Sequence, residues 1–151
     1  MTRVMLDINV LIGLASPASI WHSDAQHALE QLLWQGHQPV ICDQVLREFR
    51  TVATRPGQAN GLGLRVSESR QTVDRFPEEL QLISGIQSAL SLWLDLVTTH
   101  QVKGKRSHDI YLIATMIAGN VTRLITFNPS DFPEIPGVLI ERLIGTSSPS
   151  A

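Results

Sequence analysis

Cysteine is almost absent from this 151-residue chain: Cys42 stands alone. No internal disulfide is possible, which agrees with a reducing compartment. Cys42 closes the apolar run Val40-Ile41 and reads as a small buried hydrophobe rather than a nucleophile. Excess charge of either sign is missing too, with a formal net charge of −2. Overall attraction to polyanions is thereby excluded, so nucleic-acid binding would need a local cluster of Lys and Arg, or bound cations. Long apolar runs are also lacking. The uncharged stretch Ile83 to Leu94 is too short to span a bilayer and carries Ser84, Gln87, Ser88 and Ser91. The amino terminus shows no apolar signal region, so the expected location is the cytoplasm. His22, His27, His37 and His100 share no zinc spacing. No Ser or Cys stands in a nucleophile motif, and there is no internal repeat or low-complexity region.

What remains is an ordinary globular composition, 43% hydrophobic and 17% charged, at the size of one domain. Short apolar runs at Val4–Leu6, Pro39–Cys42, Leu80–Ile83, Arg123–Thr126 and Val138–Glu141 read as strands. Between them, helical spacing is found from Ser23 to Gly36, through Val45, Phe49 and Val52, over 67–75, over 86–100, and from Asp109 to Ala118. Asn9, Asp43 and Ser107 are the candidate caps of their helices. Gly36 and Gly119-Asn120 are candidate stops. Strands alternating with helices predict a single α/β domain, with a parallel central sheet flanked by helices on both faces. The domain is expected over residues 1–145, with a disordered Ser/Pro/Ala tail at 146–151.

Polar residues intrude on this apolar pattern at four places. Asp7 sits between Val4-Met5-Leu6 and Val10-Leu11-Ile12. A charge there is costly to bury, and the end of a strand bordering a crevice is its cheapest place. Glu48 shares a helix with Val45 and Val52, one turn to either side. Asp109 falls in the first turn of a very apolar helix, where the helix dipole also favours a negative charge. Asn128 and Asp131 follow the strand ending in Thr126, where they could bind metal or build a turn before Pro129. Clustered oxygen donors of this kind suit Mg²⁺ or Mn²⁺. Lys103, Lys105 and Arg106 crowd the loop before Asp109, while Arg47, Arg50 and Arg55 line the Glu48 helix. These cations suit RNA phosphates, and Arg50 and Arg55 also suit a partner's carboxylates. His108 reads as phosphate-facing or structural. Trp34 and Trp93 read as core or subunit-interface residues.

Together, Leu6-Asp7-Ile8-Asn9-Val10-Leu11-Ile12, Glu48 in its helix, His108-Asp109-Ile110-Tyr111-Leu112-Ile113-Ala114 and Thr126-Phe127-Asn128-Pro129-Ser130-Asp131-Phe132 resemble the PIN domain. More narrowly, they resemble the VapC-type ribonuclease toxins of bacterial toxin–antitoxin pairs. The resemblance runs from about residue 3 to 142. It implies a compact α/β fold, Mg²⁺- or Mn²⁺-dependent endoribonuclease activity, a homodimer, and an antitoxin whose tail fills the active-site groove. Asp7, Glu48 and Asp109 would be metal ligands, and cleavage would leave a 5′-phosphate and a 3′-hydroxyl. Asn128 stands where the family has a fourth acid, with Asp131 three residues beyond, and Ile8 stands where Thr is most frequent. Asn9, Thr126, Lys103, Lys105, Arg106 and Arg50 are the expected substrate contacts. Two other readings compete. Asp7-Ile8-Asn9 superficially mimics the paired-Asp strand end of haloacid-dehalogenase-type phosphatases, and a PIN-like or receiver-like binding module could keep the pocket without turnover.

Overall fold

A computed structural model describes residues 2–84 and 86–143. The expected tail at 146–151 lies outside the described residues. Among the described residues five strands form one sheet: β1 (Arg3–Leu6), β2 (Gln38–Cys42), β3 (Gln81–Ile83), β4 (Arg123–Thr126) and β5 (Leu139–Arg142). Their spatial order is β3-β2-β1-β4-β5, and every pairing is parallel. Among the described residues there are six helices: α1 (Ile8–Ala15), α2 (His22–Trp34), α3 (Asp43–Thr54), α4 (Val66–Asp74), α5 (Ala89–Thr99) and α6 (Arg106–Ala118).

The three inner strands are the unbroken apolar ones, since a parallel strand covered on both faces has no solvent side to alternate toward. Val4, Met5, Val40 and Leu124 are fully buried there. The edge strands β3 and β5 stay partly exposed. From β1 the chain moves outward to β2 and β3, then returns across the sheet to β4. Right-handed crossovers in opposite directions put helices on opposite faces. Accordingly α1 packs on α2 and α3, and α3 on α4, while α5 and α6 pack on each other. The reversal falls between β1 and β4, the switch point at which open α/β sheets bind ligands. None of the described helices is long and apolar enough to cross a membrane.

Several local expectations are corrected. Asp7, not Asn9, caps α1: its Oδ1 accepts from Ile8 N at 2.8 Å, and its own N–H continues the sheet to Ile125 O at 3.1 Å. That ladder bond holds Asp7 extended, so the helix starts one residue after it. The cap of α3 is Cys42, with Asp43 already in the first turn. Helix α6 begins at Arg106 with Lys105 at its cap position; Ser107 already lies inside the first turn, its hydroxyl donating to Gly104 O. The expected stop of α6 at Gly119-Asn120 holds: Gly119 caps the helix and Asn120 takes the left-handed position, at φ 59°. Trp34 is 87% exposed and no part of the core. Trp93 donates to Ser107 O at 2.7 Å, and Trp21 stacks on Phe127 at 4.7 Å.

Candidate functional site

Asp7 is the buried centre of the site. Its Oδ2 accepts from Thr126 Oγ1 at 2.9 Å, across the β1–β4 switch point. Thr126 is completely buried, and its hydroxyl also accepts from Asn9 Nδ2 and Asn128 N, each at 3.1 Å. One proton given and two lone pairs filled exhaust a hydroxyl. Asn9 completes the knot by accepting from Phe127 N at 3.2 Å. Asn9 and Thr126, expected toward substrate, are thus engaged inside the chain as the supports that aim Asp7. Burial holds the Asp7 carboxyl above its ordinary range; the Thr126 and Ile8 hydrogen bonds oppose that, and the charges of Glu48 and Asp131 add to it.

Three other elements bring their carboxylates to the same end of the sheet. A helix that precedes a parallel strand has its N-terminus at the carboxyl edge, which is why Asp109, in the first turn of α6, arrives beside β1 and β4. Asp109 is half-buried and pushed up to about 6, first by desolvation, then by the negative charges of Asp7, Asp131 and Glu48, with His108 opposing. Glu48 comes from the second turn of α3, and Asp131 from the 3₁₀ turn Pro129–Asp131 after β4. Of the two candidates for the fourth place, it is Asp131 whose charge is felt at both Asp7 and Asp109. Asn128 is exposed, and its backbone N–H is what it gives to the knot. Among the described residues, none of the four carboxylates forms an ion pair.

Glu48 is restrained by a residue that sequence reasoning passed over. Gln44 Nε2 donates to Glu48 Oε1 at 3.0 Å and to His108 O on α6 at 2.8 Å. The i, i+4 spacing of Gln44 and Glu48 was the available signal.

Among the described residues no three Asp, Glu, His or Cys side chains already form a cage for a metal ion. The donor set nonetheless fits a hard divalent cation held by one or two carboxylates, with waters and substrate oxygens completing its shell. All its atoms are oxygens, and among the described residues none of the four carboxylates is neutralised by an ion pair, His108 alone opposing the rise at Asp109.

Two clefts flank the acids. One, of about 340 Å³, is lined by His100, Lys103, Arg106, Asp131 and Phe132. Arg106 reaches across it to Ser130 O at 3.5 Å. The other, of about 450 Å³, lies between α3 and α6 and is lined by Gln44, Arg47, Glu48, Thr51, His108 and Tyr111. Lys105 and Arg50 are exposed and line neither.

No family sequence profile matches the chain. No curated protein matches it in sequence either. Its likenesses are structural. A chain of the VapBC2 complex of Rickettsia felis, bound to a promoter DNA fragment, aligns with TM-score 0.72 at 20% identity, over 93% of this chain and 98% of that one. A toxin–antitoxin complex from Klebsiella pneumoniae aligns at 0.61 and 24% identity, over 90% and 95%. VapC20 of Mycobacterium tuberculosis, a sarcin-ricin loop cleaving toxin, aligns at 0.57 and 11% identity, over 80% and 86%. The fold is therefore the PIN-like α/β fold found in VapC toxins and their complexes.

Proposed function

We propose that the chain is a VapC-type toxin: a Mg²⁺- or Mn²⁺-dependent endoribonuclease, cytoplasmic, dimeric, and neutralised by a cognate antitoxin protein. One observation carries the reading. Four carboxylates from four separate elements face the switch point of a PIN-like sheet, where desolvation and then the charges of Asp7, Asp131 and Glu48 lift Asp109 to about 6. Acidic charge concentrated in a cleft without an ion pair is the signature of a functional site. A divalent cation bound there would acidify a coordinated water and stabilise charge on the scissile phosphate. Asp7, aimed by Thr126 and Asn9, together with Asp109 and Glu48, would hold the ion, and Asp131 would add charge from the rim. Lys103 and Arg106 in one cleft, with Lys105 and Arg50 on the exposed surface, would grip RNA phosphates, positioning the strand without reading its sequence. Asn128 would serve the turn that presents Asp131. A phosphatase of the haloacid-dehalogenase type needs a second Asp where Asn9 stands, and Asn9 has both ends of its amide tied to Thr126 and Phe127.

The test is cleavage of cellular RNA by the purified protein, with end mapping. The expected result is 5′-phosphate products with Mg²⁺ or Mn²⁺, none in EDTA, and none from Asp7→Asn or Asp109→Asn. Cleavage that persists in EDTA, or in either variant at the wild-type rate, would refute the reading.

A further inference from the structure

We propose that Gln44 is a positioning residue of the acidic site, holding Glu48 beside Asp109 across the α3–α6 cleft and thereby setting the site's affinity for a divalent cation. The inference rests on the metal-dependent reading above and adds to it a residue outside the acidic set.

The two N–H groups of an amide are all it can donate, and both are spent here: one on Glu48 Oε1 at 3.0 Å, one on His108 O at 2.8 Å. Both partners are acceptors, so the amide has only one workable orientation. Reversing it would set its oxygen against two others. That orientation leaves Gln44 Oε1 buried without a partner, one of two such side-chain atoms among the described residues. A buried unpaired carbonyl is costly, and its place beside Glu48 calls for a compensating role. The other orphan, Ser69 Oγ, lies on α4 and belongs to no part of the acidic site.

That role follows from electrostatics. Glu48 is pushed away by the like charges of Asp7 and Asp109, whose carboxyl groups its own charge pushes up in turn. A helical Glu repelled in this way would swing toward solvent unless something held it. A Lys or Arg at position 44 could hold it, but would neutralise it and compete with the cation. An amide donates a hydrogen bond and adds no charge. It also ties Glu48 to the carbonyl just before Asp109, so one side chain sets the spacing of two acids carried by different helices. Groups that orient metal ligands in this way typically change affinity about 10- to 100-fold when removed.

The experiment is Mn²⁺ titration calorimetry on wild type, Gln44→Met, Gln44→Ala and Asp7→Asn, with thermal melts of each in EDTA. Gln44→Met keeps the length of the side chain but removes both the donor and the orphaned acceptor. The expected result is about 10- to 100-fold weaker Mn²⁺ binding in both Gln44 variants, with the Gln44→Met melting temperature in EDTA equal to or above wild type. Unchanged Mn²⁺ affinity in Gln44→Met and Gln44→Ala would overturn the inference while leaving the metal site standing. So would a fall in melting temperature of both variants alongside the loss of affinity, the mark of a purely structural staple. Wild-type binding no tighter than that of Asp7→Asn would overturn the metal-dependent reading itself, and this inference with it.

Discussion

Replacing Asp109 by Asn should stabilise the metal-free protein at neutral pH, because Asp109 is held ionised against its surroundings. Its carboxyl is pushed from 3.8 to about 6 in the folded chain. A group with a raised folded-state value adds stability that is fully present below the unfolded value, near pH 3.8, and lost as pH rises through about 6. At roughly 1.4 kcal/mol per pH unit, the full displacement corresponds to about 3 kcal/mol. Asp109 is only half-buried, and solvent screening reduces that to about 1–2 kcal/mol. For a chain of this length, that is a rise in melting temperature of about 3–6 °C. The assay is thermal or urea unfolding of Asp109→Asn and wild type in EDTA, from pH 4 to pH 8. The variant should be more stable at pH 7–8, with its advantage shrinking as pH falls and gone near pH 4. Mn²⁺ should then raise the stability of wild type and leave the variant unmoved. A variant that is less stable at pH 8, or whose advantage is constant across the range, would show that the clustered charges do not strain the site.

Two further perturbations probe the scaffold. Thr126→Val keeps the shape but strips the hydroxyl shared by Asp7, Asn9 and Asn128. Hydrogen bonds to charged groups are worth about 1.5–3 kcal/mol, so a loss of that order is expected in urea unfolding; a neutral result would mean that the knot at the switch point is dispensable. At Gly13 an added Cβ would lie 3.0 Å from Ala25 Cβ and 3.2 Å from Trp21 O, where α1 meets α2. Gly13→Val should therefore cost about 1–3 kcal/mol by overpacking, and a melting temperature equal to wild type would disprove the close approach of the two helices.

The inner strands and the place of Asp7 were legible in the chain alone. An unbroken apolar run that stops at a carboxylate has few affordable solutions, and β1 ending at a crevice is one of them. Helical periodicity likewise located α2, α3 and α6, because a 3.6-residue spacing of apolar side chains reports which face is covered. Boundaries were less legible. Asp7 and Asn9 are equally good caps by type, and the choice fell to the long-range bond from Asp7 N to Ile125 O. Trp34 lies on a helix with an apolar pattern yet points outward, since periodicity does not say where a covered face ends.

By itself, then, the sequence determined the element order, the parallel α/β class and a set of acids at the margins of apolar elements. Tertiary structure alone decided that Asp7, Glu48 and Asp131 act on Asp109, that Thr126 and Asn9 are bound up in holding Asp7, and that Gln44 spans α3 and α6. The reason is physical. Local patterns encode burial, which each residue satisfies with its near neighbours, whereas a site is made by charges brought together across the switch point of a folded sheet. Their repulsion exists only once the chain has closed around it.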